Sequence, residues 1–211
     1  MFIALEGIDG TGKTTVAEKL REKLEAAGAG CVQTRTPGGD PKAGPEFRKL
    51  LLNPEYNVVD EAYPFLFLSD HLQTVYSVVL PSLAANNIVI TDRYIASTWV
   101  YQVDTVDFLS PEQKDTLEKV MFYWMPTPDL TVILDATVDT VKERLNKTDL
   151  EFDGKDNFES SKDYEWARRR MSYLTYKDSK VAGQGAVITV STESMTPDEI
   201  VDYLMCKHIM L

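Results

Sequence analysis

The sequence predicts an α/β fold in three layers: a five-stranded parallel sheet flanked by helices on both faces, plus a small lid. Three observations predict it. Short apolar, β-branched runs alternate with helical patterns along the 211 residues. The first run leads into a glycine-rich loop that opens a helix. The runs also end beside polar or charged residues (Asp9, Arg35, Asp92, Arg93 and Asp135), and the carboxyl ends of strands are where open α/β sheets build their sites.

Taken in order, Phe2–Glu6 reads as a short buried strand. Gly7-Ile8-Asp9-Gly10-Thr11-Gly12-Lys13-Thr14 follows and fits G-x-x-x-x-G-K-[ST], the phosphate-binding P-loop, at every position. Val16, Leu20 and Leu24 then recur at helical spacing across a predicted helix, Thr14–Ala27. The chemistry follows from that context. Glycines let the backbone wrap so that successive N–H groups point at phosphate oxygens. The helix N-terminus adds partial positive charge. Gly7 to Thr15 (Gly7, Ile8, Asp9, Gly10, Thr11, Gly12, Lys13, Thr14 and Thr15) are therefore the expected contacts of a nucleoside triphosphate. Lys13 would reach the β- and γ-phosphates, and the Thr14 hydroxyl would face Mg²⁺.

The second strand is Cys31–Thr34. Arg35-Thr36-Pro37-Gly38-Gly39 after it forms a rigid turn that either aims Arg35 at a second phosphate or is an ordinary turn. Arg48 sits on a short helix just beyond, as a ligand or as a solvated side chain. A long helical stretch runs from Asp60 to Ala85. Pro64 inside it marks a first turn near Tyr63 or a kink. On this helix Phe67 and His71 lie four apart and share a face. Phe67 could stack on a base while His71 bonds the base edge, or Phe65, Leu66, Phe67 and Leu68 could all be core.

Ile88–Thr91 is the third strand, and Asp92-Arg93-Tyr94 falls at its end. Asp92 there can hold a Mg²⁺-bound water, and Arg93 can fork onto a phosphate; a surface ion pair is the plainer alternative. Helix Pro111–Trp124 starts on the Ser110-Pro111 signal, strand Leu130–Asp135 follows, and helix Val138–Asn146 comes after it. A helical segment around 162–181, a strand at Val187–Val190 and a helix at Pro197–His208, opened by Thr196-Pro197, complete the chain.

The net charge of −11 argues against broad nucleic-acid binding, which needs a basic surface. No run approaches the roughly 20 apolar residues of a membrane span. The N-terminus shows no signal-peptide pattern. The two cysteines, Cys31 and Cys206, lack metal-type spacing and read as reduced thiols. The expectation is a cytoplasmic protein of one domain, residues 1–211, with a lid at about 145–162.

Together these features resemble the thymidylate kinase family. The motifs that carry the resemblance are "GIDGTGKT", "RTPGG", Phe47-Arg48 with "KLLL", "FLSDHLQ", "DRYIAS", Tyr101-Gln102 and "PDLTVILD", in the family's order and spacing. The resemblance implies that ATP and Mg²⁺ are used to phosphorylate a deoxypyrimidine monophosphate, dTMP first among them, in a homodimer. It implies that Lys13 and Thr14 hold ATP phosphates and Mg²⁺, and that Asp9 contacts the acceptor sugar and helps organise the metal. Arg93 and Arg35 would bind the acceptor monophosphate, with Arg48 near the base or phosphate. Phe67 would stack on thymine, Ser97 and Gln102 would line the pocket, and Tyr101 would sit against the deoxyribose. Lys13, Asp9, Arg93 and Arg144 are the expected catalytic groups, and Thr14 and Asp92 the expected metal contacts.

Two departures stand out. Thr36 stands where the family commonly has Glu, and His71 where it usually has Arg, so base recognition is expected to be altered or broader. The lid is acidic: 149–165 carry Asp149, Glu151, Asp153, Asp156, Glu159, Asp163 and Glu165 against Lys155 and Lys162. Gly10 occupies the P-loop position where some members carry a catalytic arginine. The missing cation is assigned to Arg144 first, with Lys147, Arg168 and Arg170 as alternatives.

Asn146-Lys147-Thr148-Asp149 spells the guanine-reading N-K-x-D, but it follows a helical pattern rather than a strand, which argues against a GTPase. Two rivals remain. A nucleoside kinase would need a carboxylate base at the acceptor hydroxyl. An inactive nucleotide-binding protein would fit the diverged lid, but an intact Lys13, Thr14 and Asp92-Arg93 argue against it.

Overall fold

The computed structural model describes residues 1–147, 163–179, 182–183 and 185–209. Its centre is a five-stranded, all-parallel sheet in the order β2-β3-β1-β4-β5, built from β1 (Phe2–Glu6), β2 (Cys31–Arg35), β3 (Ile88–Asp92), β4 (Leu130–Asp135) and β5 (Ala186–Ser191). The strands alternate in side-chain direction, as a pleated strand must. Phe2, Ala4, Val89 and Ile133 enter the core on one face, and Ile3, Leu5, Ile90, Val132 and Leu134 enter the core on the other.

The second face is covered by α1 (Lys13–Ala26) and α9 (Pro197–Lys207), which pack against each other and bury Val16, Leu20, Leu24, Ile200, Val201 and Leu204. The first is covered mainly by α3 (Tyr63–Thr74), α5 (Ile95–Trp99), α6 (Pro111–Trp124) and α8 (Asp163–Thr175). α4 (Leu80–Ala84) and α7 (Val138–Lys147) add Leu83, Val138, Val141 and Leu145 to this first face, and α2 (Gly44–Leu52) packs against α3.

The starts of α6 and α9 follow the sequence signal. Ser110 and Thr196 each close a reciprocal capping box, with Gln113 and Glu199. The long predicted helix is three segments: α3 opens at Tyr63 with Pro64 in its first turn, a π turn spans Val75–Val79, and α4 completes it. One helix was not predicted. α5 passes into a second π turn at Val100–Asp104, and all of α5 is buried, so no polar stripe betrays it.

The predicted lid, 145–162, lies outside the described residues from 148 onward, as do five of its seven acids. Thr148 and Asp149 of the N-K-x-D stretch are also outside them. No helix among the described residues is long and apolar enough to cross a membrane.

Candidate active site

The parallel register sets the site. Leu5 pairs with Asp92, and Arg35 also pairs with Asp92, so the exits of β1, β2 and β3 lie side by side. The P-loop springs from the first. Gly12 adopts φ 86° and hands the chain into α1, whose first-turn N–H groups face the loop. Gly10 adopts φ 74°, and a Cβ there would meet Val141 Cγ1 of α7 at 2.5 Å. Strain and contact together exclude a side chain at this position.

Lys13 is buried. Its Nζ donates to Ile8 O at 2.9 Å and lies 4.0 Å from Asp9 Oδ1. Burial, aided by nearby Arg93, brings its ammonium down to about 8, against the pull of Asp9, Asp92 and Glu6. Thr14 Oγ1 donates to Asp92 Oδ2 at 2.5 Å. A hydroxyl and a carboxylate oxygen that close are hard donors of the kind Mg²⁺ takes alongside water and phosphate oxygens, so the residues present fit that ion.

Arg93 is the hub of a hydrogen-bond network at this edge. Its backbone is left-handed, φ 69°, and is pinned by Arg93 N donating to Leu5 O at 2.9 Å and by Thr91 Oγ1 donating to Arg93 O at 2.7 Å. The guanidinium donates to Gly7 O (3.0 Å), Ser97 Oγ (3.0 Å), Tyr173 OH (3.1 Å) and Asp9 Oδ1. Below it Glu6 is fully buried. It accepts from Tyr94 N at 2.9 Å and from Ser97 Oγ at 2.5 Å. Burial pushes the Glu6 carboxyl above its usual range despite these bonds and the nearby Arg93. Burial also pushes Asp9 upward, but Arg93 and Lys13 outweigh it and hold Asp9 low.

Several cavities open on this edge among the described residues. One of about 490 Å³ is lined by Asp9, Thr36, Pro37, Phe67, Arg93, Ser97, Thr98, Tyr101 and Gln102. Arg93 also lies over the Tyr101 ring, 5.5 Å from its centroid. A larger cleft of about 1630 Å³ holds the P-loop with Lys13, Thr14 and Thr15, and with Arg35, Arg48, Asp92 and Arg144. Asp9 and Arg93 border both. Another, about 530 Å³, lies behind the loop between Gly10, Arg144, Thr192, Met195 and Pro197.

Most residues singled out from sequence thus meet at one edge. Phe67 is half-buried and lines the smaller cavity, while its neighbour Phe65 is exposed. Arg48 donates to Pro37 O at 3.2 Å and Arg35 is exposed at the cleft mouth. His71 corrects the expectation that it bonds a base directly. It is buried behind the cavity wall, with Nδ1 3.2 Å from Thr36 Oγ1 and Nε2 2.8 Å from Thr98 Oγ1. The helix turn that carries Phe67 into the cavity sets His71 one turn deeper, between those two threonines.

The cation candidates also separate. Arg144 borders the large cleft, donating to Thr192 Oγ1 (2.8 Å), Thr192 O (2.7 Å) and Gly10 O (3.4 Å). Arg170 makes a bidentate pair with Asp135 at 2.6 and 2.8 Å, and Arg168 one with Asp107 at 2.8 and 3.1 Å. Arg169 instead lies 4.6 Å from the Tyr101 ring centroid. Glu6, Thr98, Tyr173, Arg169 and Thr192 are site residues that sequence reasoning missed. Only Glu6 left a signal, a charge ending a buried strand.

The chain matches the family model described as thymidylate kinase over residues 5–187. It is 36% identical over 217 residues to the thymidylate kinase of Maridesulfovibrio salexigens, covering 99% of this chain and 95% of that one. It is 33% identical to that of Kosmotoga olearia, covering 98% and 96%, and 34% identical to that of Nitratidesulfovibrio vulgaris, covering 97% and 94%. Fold, site geometry and these matches agree, and the chain belongs to the thymidylate kinase family.

Proposed function

We propose that this chain transfers the γ-phosphoryl group of ATP to dTMP, giving ADP and dTDP. One observation carries the reading: Asp9 and Arg93 border two cavities, one holding the P-loop and the other with an aromatic and polar lining. A donor phosphate chain on the first and an acceptor phosphate at Arg93 would meet there.

The roles follow from position. Loop N–H groups and Lys13 hold the donor phosphates. The cavity between Gly10, Arg144, Met195 and Pro197 takes the donor base. Arg93, held by Ser97 and Tyr173, with Arg35 and Arg48 nearby, binds the acceptor phosphate. Phe67 stacks on the pyrimidine, and Gln102, whose buried Nε2 has no partner among the described residues, faces it from the lining. Tyr101 donates to Asp9 Oδ2 at 3.3 Å and fills the space beside the sugar.

The attacking phosphate oxygen is already anionic, so no general base is required. Asp9, held low by Arg93 and Lys13, is a poor base but a good positioning group. The protein's work is alignment and charge neutralisation. Thr14 and Asp92 would hold Mg²⁺, which would supply positive charge to neutralise the donor phosphates. Arg144 is the added cation. We further propose a single catalytic domain with a lid over ATP, a homodimer, and a cytoplasmic location suited to two free thiols.

The test is coupled detection of ADP with dTMP, with thymidine and with no acceptor. Release that requires dTMP supports the reading. Release with thymidine alone would make the chain a nucleoside kinase, and none with either acceptor would make it an inactive binder.

A further inference from the structure

The wall of the acceptor cavity carries a polar triad with one proton too few to fix its polarity. Thr36 and Thr98 both line the cavity. Behind them a single buried imidazole joins the two hydroxyls, Thr36 through Nδ1 and Thr98 through Nε2. Among the described residues neither hydroxyl has another side-chain partner. The ring is held edge-on to Tyr94 at 5.2 Å between centroids, so it stays in this plane. Burial brings His71 down to about 3, so the imidazole is neutral at any working pH.

A neutral imidazole has one N–H and one bare nitrogen. With the proton on Nε2, the ring donates to Thr98 and accepts from Thr36. Thr98 then offers its own O–H to the cavity, and Thr36 offers only lone pairs. With the proton on Nδ1 the two roles exchange. In either state the wall presents one donor and one acceptor, and the two states are mirror images of each other. Pyrimidine edges come in the same two mirror forms. A 4-oxo base presents an acceptor at position 4 and a donor at N3. A 4-amino base presents a donor at position 4 and an acceptor at N3.

We propose that the Thr36–His71–Thr98 triad is a tautomer-switched reader that lets the acceptor site take 4-oxo and 4-amino pyrimidine deoxynucleoside monophosphates alike. This rests on the monophosphate kinase reading above. A fixed donor at the base edge would reject one of the two forms by roughly 10⁴-fold or more, because a buried polar group would be left unpaired. The triad avoids that penalty by moving its proton between the two ring nitrogens, with no change in heavy-atom positions. The side-chain amide of Gln102 carries both a donor and an acceptor and can flip to match either edge, so it adds affinity without setting which form is preferred.

The experiment compares kcat/KM for dTMP and for 5-methyl-dCMP, which differ only at position 4 and N3. The expected wild-type ratio is within about tenfold, far below the discrimination of a fixed hydrogen-bonding edge. Thr98→Val leaves the imidazole to donate to Thr36, which fixes Thr36 as donor. Thr36→Val fixes Thr98 as donor. The two variants should move the ratio in opposite directions, by about tenfold or more each. Thr98→Ser and Thr36→Ser, which keep the hydroxyls, should restore it and control for folding. A wild-type ratio beyond tenfold overturns the proposal, as does movement of both valine variants in one direction or of neither. Turnover of dTMP without 5-methyl-dCMP defeats this inference alone. Turnover of neither defeats the kinase reading beneath it.

Discussion

Arg93 shows how a single residue is made competent. A left-handed backbone is costly for a long side chain, and here two backbone-directed bonds hold it, aiming the guanidinium between Asp9 and Ser97. Arg93→Ala is expected to lower kcat by about 10²-fold or more, the scale of one lost stabilising donor. Steady-state kinetics with saturating dTMP and ATP would check this. Asp70 makes a stability prediction. It is fully buried and accepts from Gly38 N at 3.0 and 3.2 Å, which pins the turn after β2. Burial pushes its carboxyl up to about 6 from 3.8, against the pull of Gly38 and Arg48. The folded chain therefore keeps a proton that the unfolded chain has released between about pH 4 and 6. Its contribution to stability is greatest below pH 4 and is lost as pH rises to about 6. Asp70→Asn should flatten this slope, removing a loss of about 3 kcal/mol, read by urea unfolding at a series of pH values. At this scale the P-loop was legible because its spacing is local. Tyr173 was not, and Glu6 only as a charge ending a buried strand, because their partner Ser97 lies 76 and 91 residues away in sequence.

Among elements, α7 and the P-loop form one working pair. Val141 closes over Gly10, and Arg144, one turn on, brings a guanidinium to the loop that Gly10 cannot carry itself. Gly10→Ala must accommodate a positive φ and a contact of 2.5 Å, so it should displace the loop or α7. A KM for ATP raised about tenfold or more, the cost of a misplaced binding contact, is the expected readout. Arg144→Ala should lower kcat by about 10²-fold. An unchanged kcat would return the cation to another residue, with Arg169 the next to test because it lies 4.6 Å from the centroid of the Tyr101 ring, which lines the smaller cavity. All five strands were legible to within a residue at each end, since β-branched runs bounded by turns have few other readings. α5 and both π turns were not, because a helix buried all round carries no period and a π turn has no local signature.

Over the whole molecule, the sheet order places β1 in the middle, with the neighbouring strand ends converging on its loop. That convergence was legible from charged residues after each run. The pairing of His71 with two threonines was not, because it depends on how deep α3 packs against α5. The assembly state is tested on the outer surface. Phe65, Tyr76, Leu80 and Phe122 stand exposed on α3, α4, the π turn between them and the adjoining α6. Apolar groups of this size on packed neighbouring helices suit a second copy of the chain. Sedimentation should give a dimer, and Tyr76→Glu should shift it towards monomer; a monomer at every concentration would reject the homodimer. The kinase reading itself is tested most directly by following ³¹P resonances of ATP and dTMP mixed with the protein and Mg²⁺. Growth of dTDP and ADP in equal amounts, lost in Lys13→Ala, is the predicted result. ADP with inorganic phosphate and no dTDP, or no change at all, would contradict it.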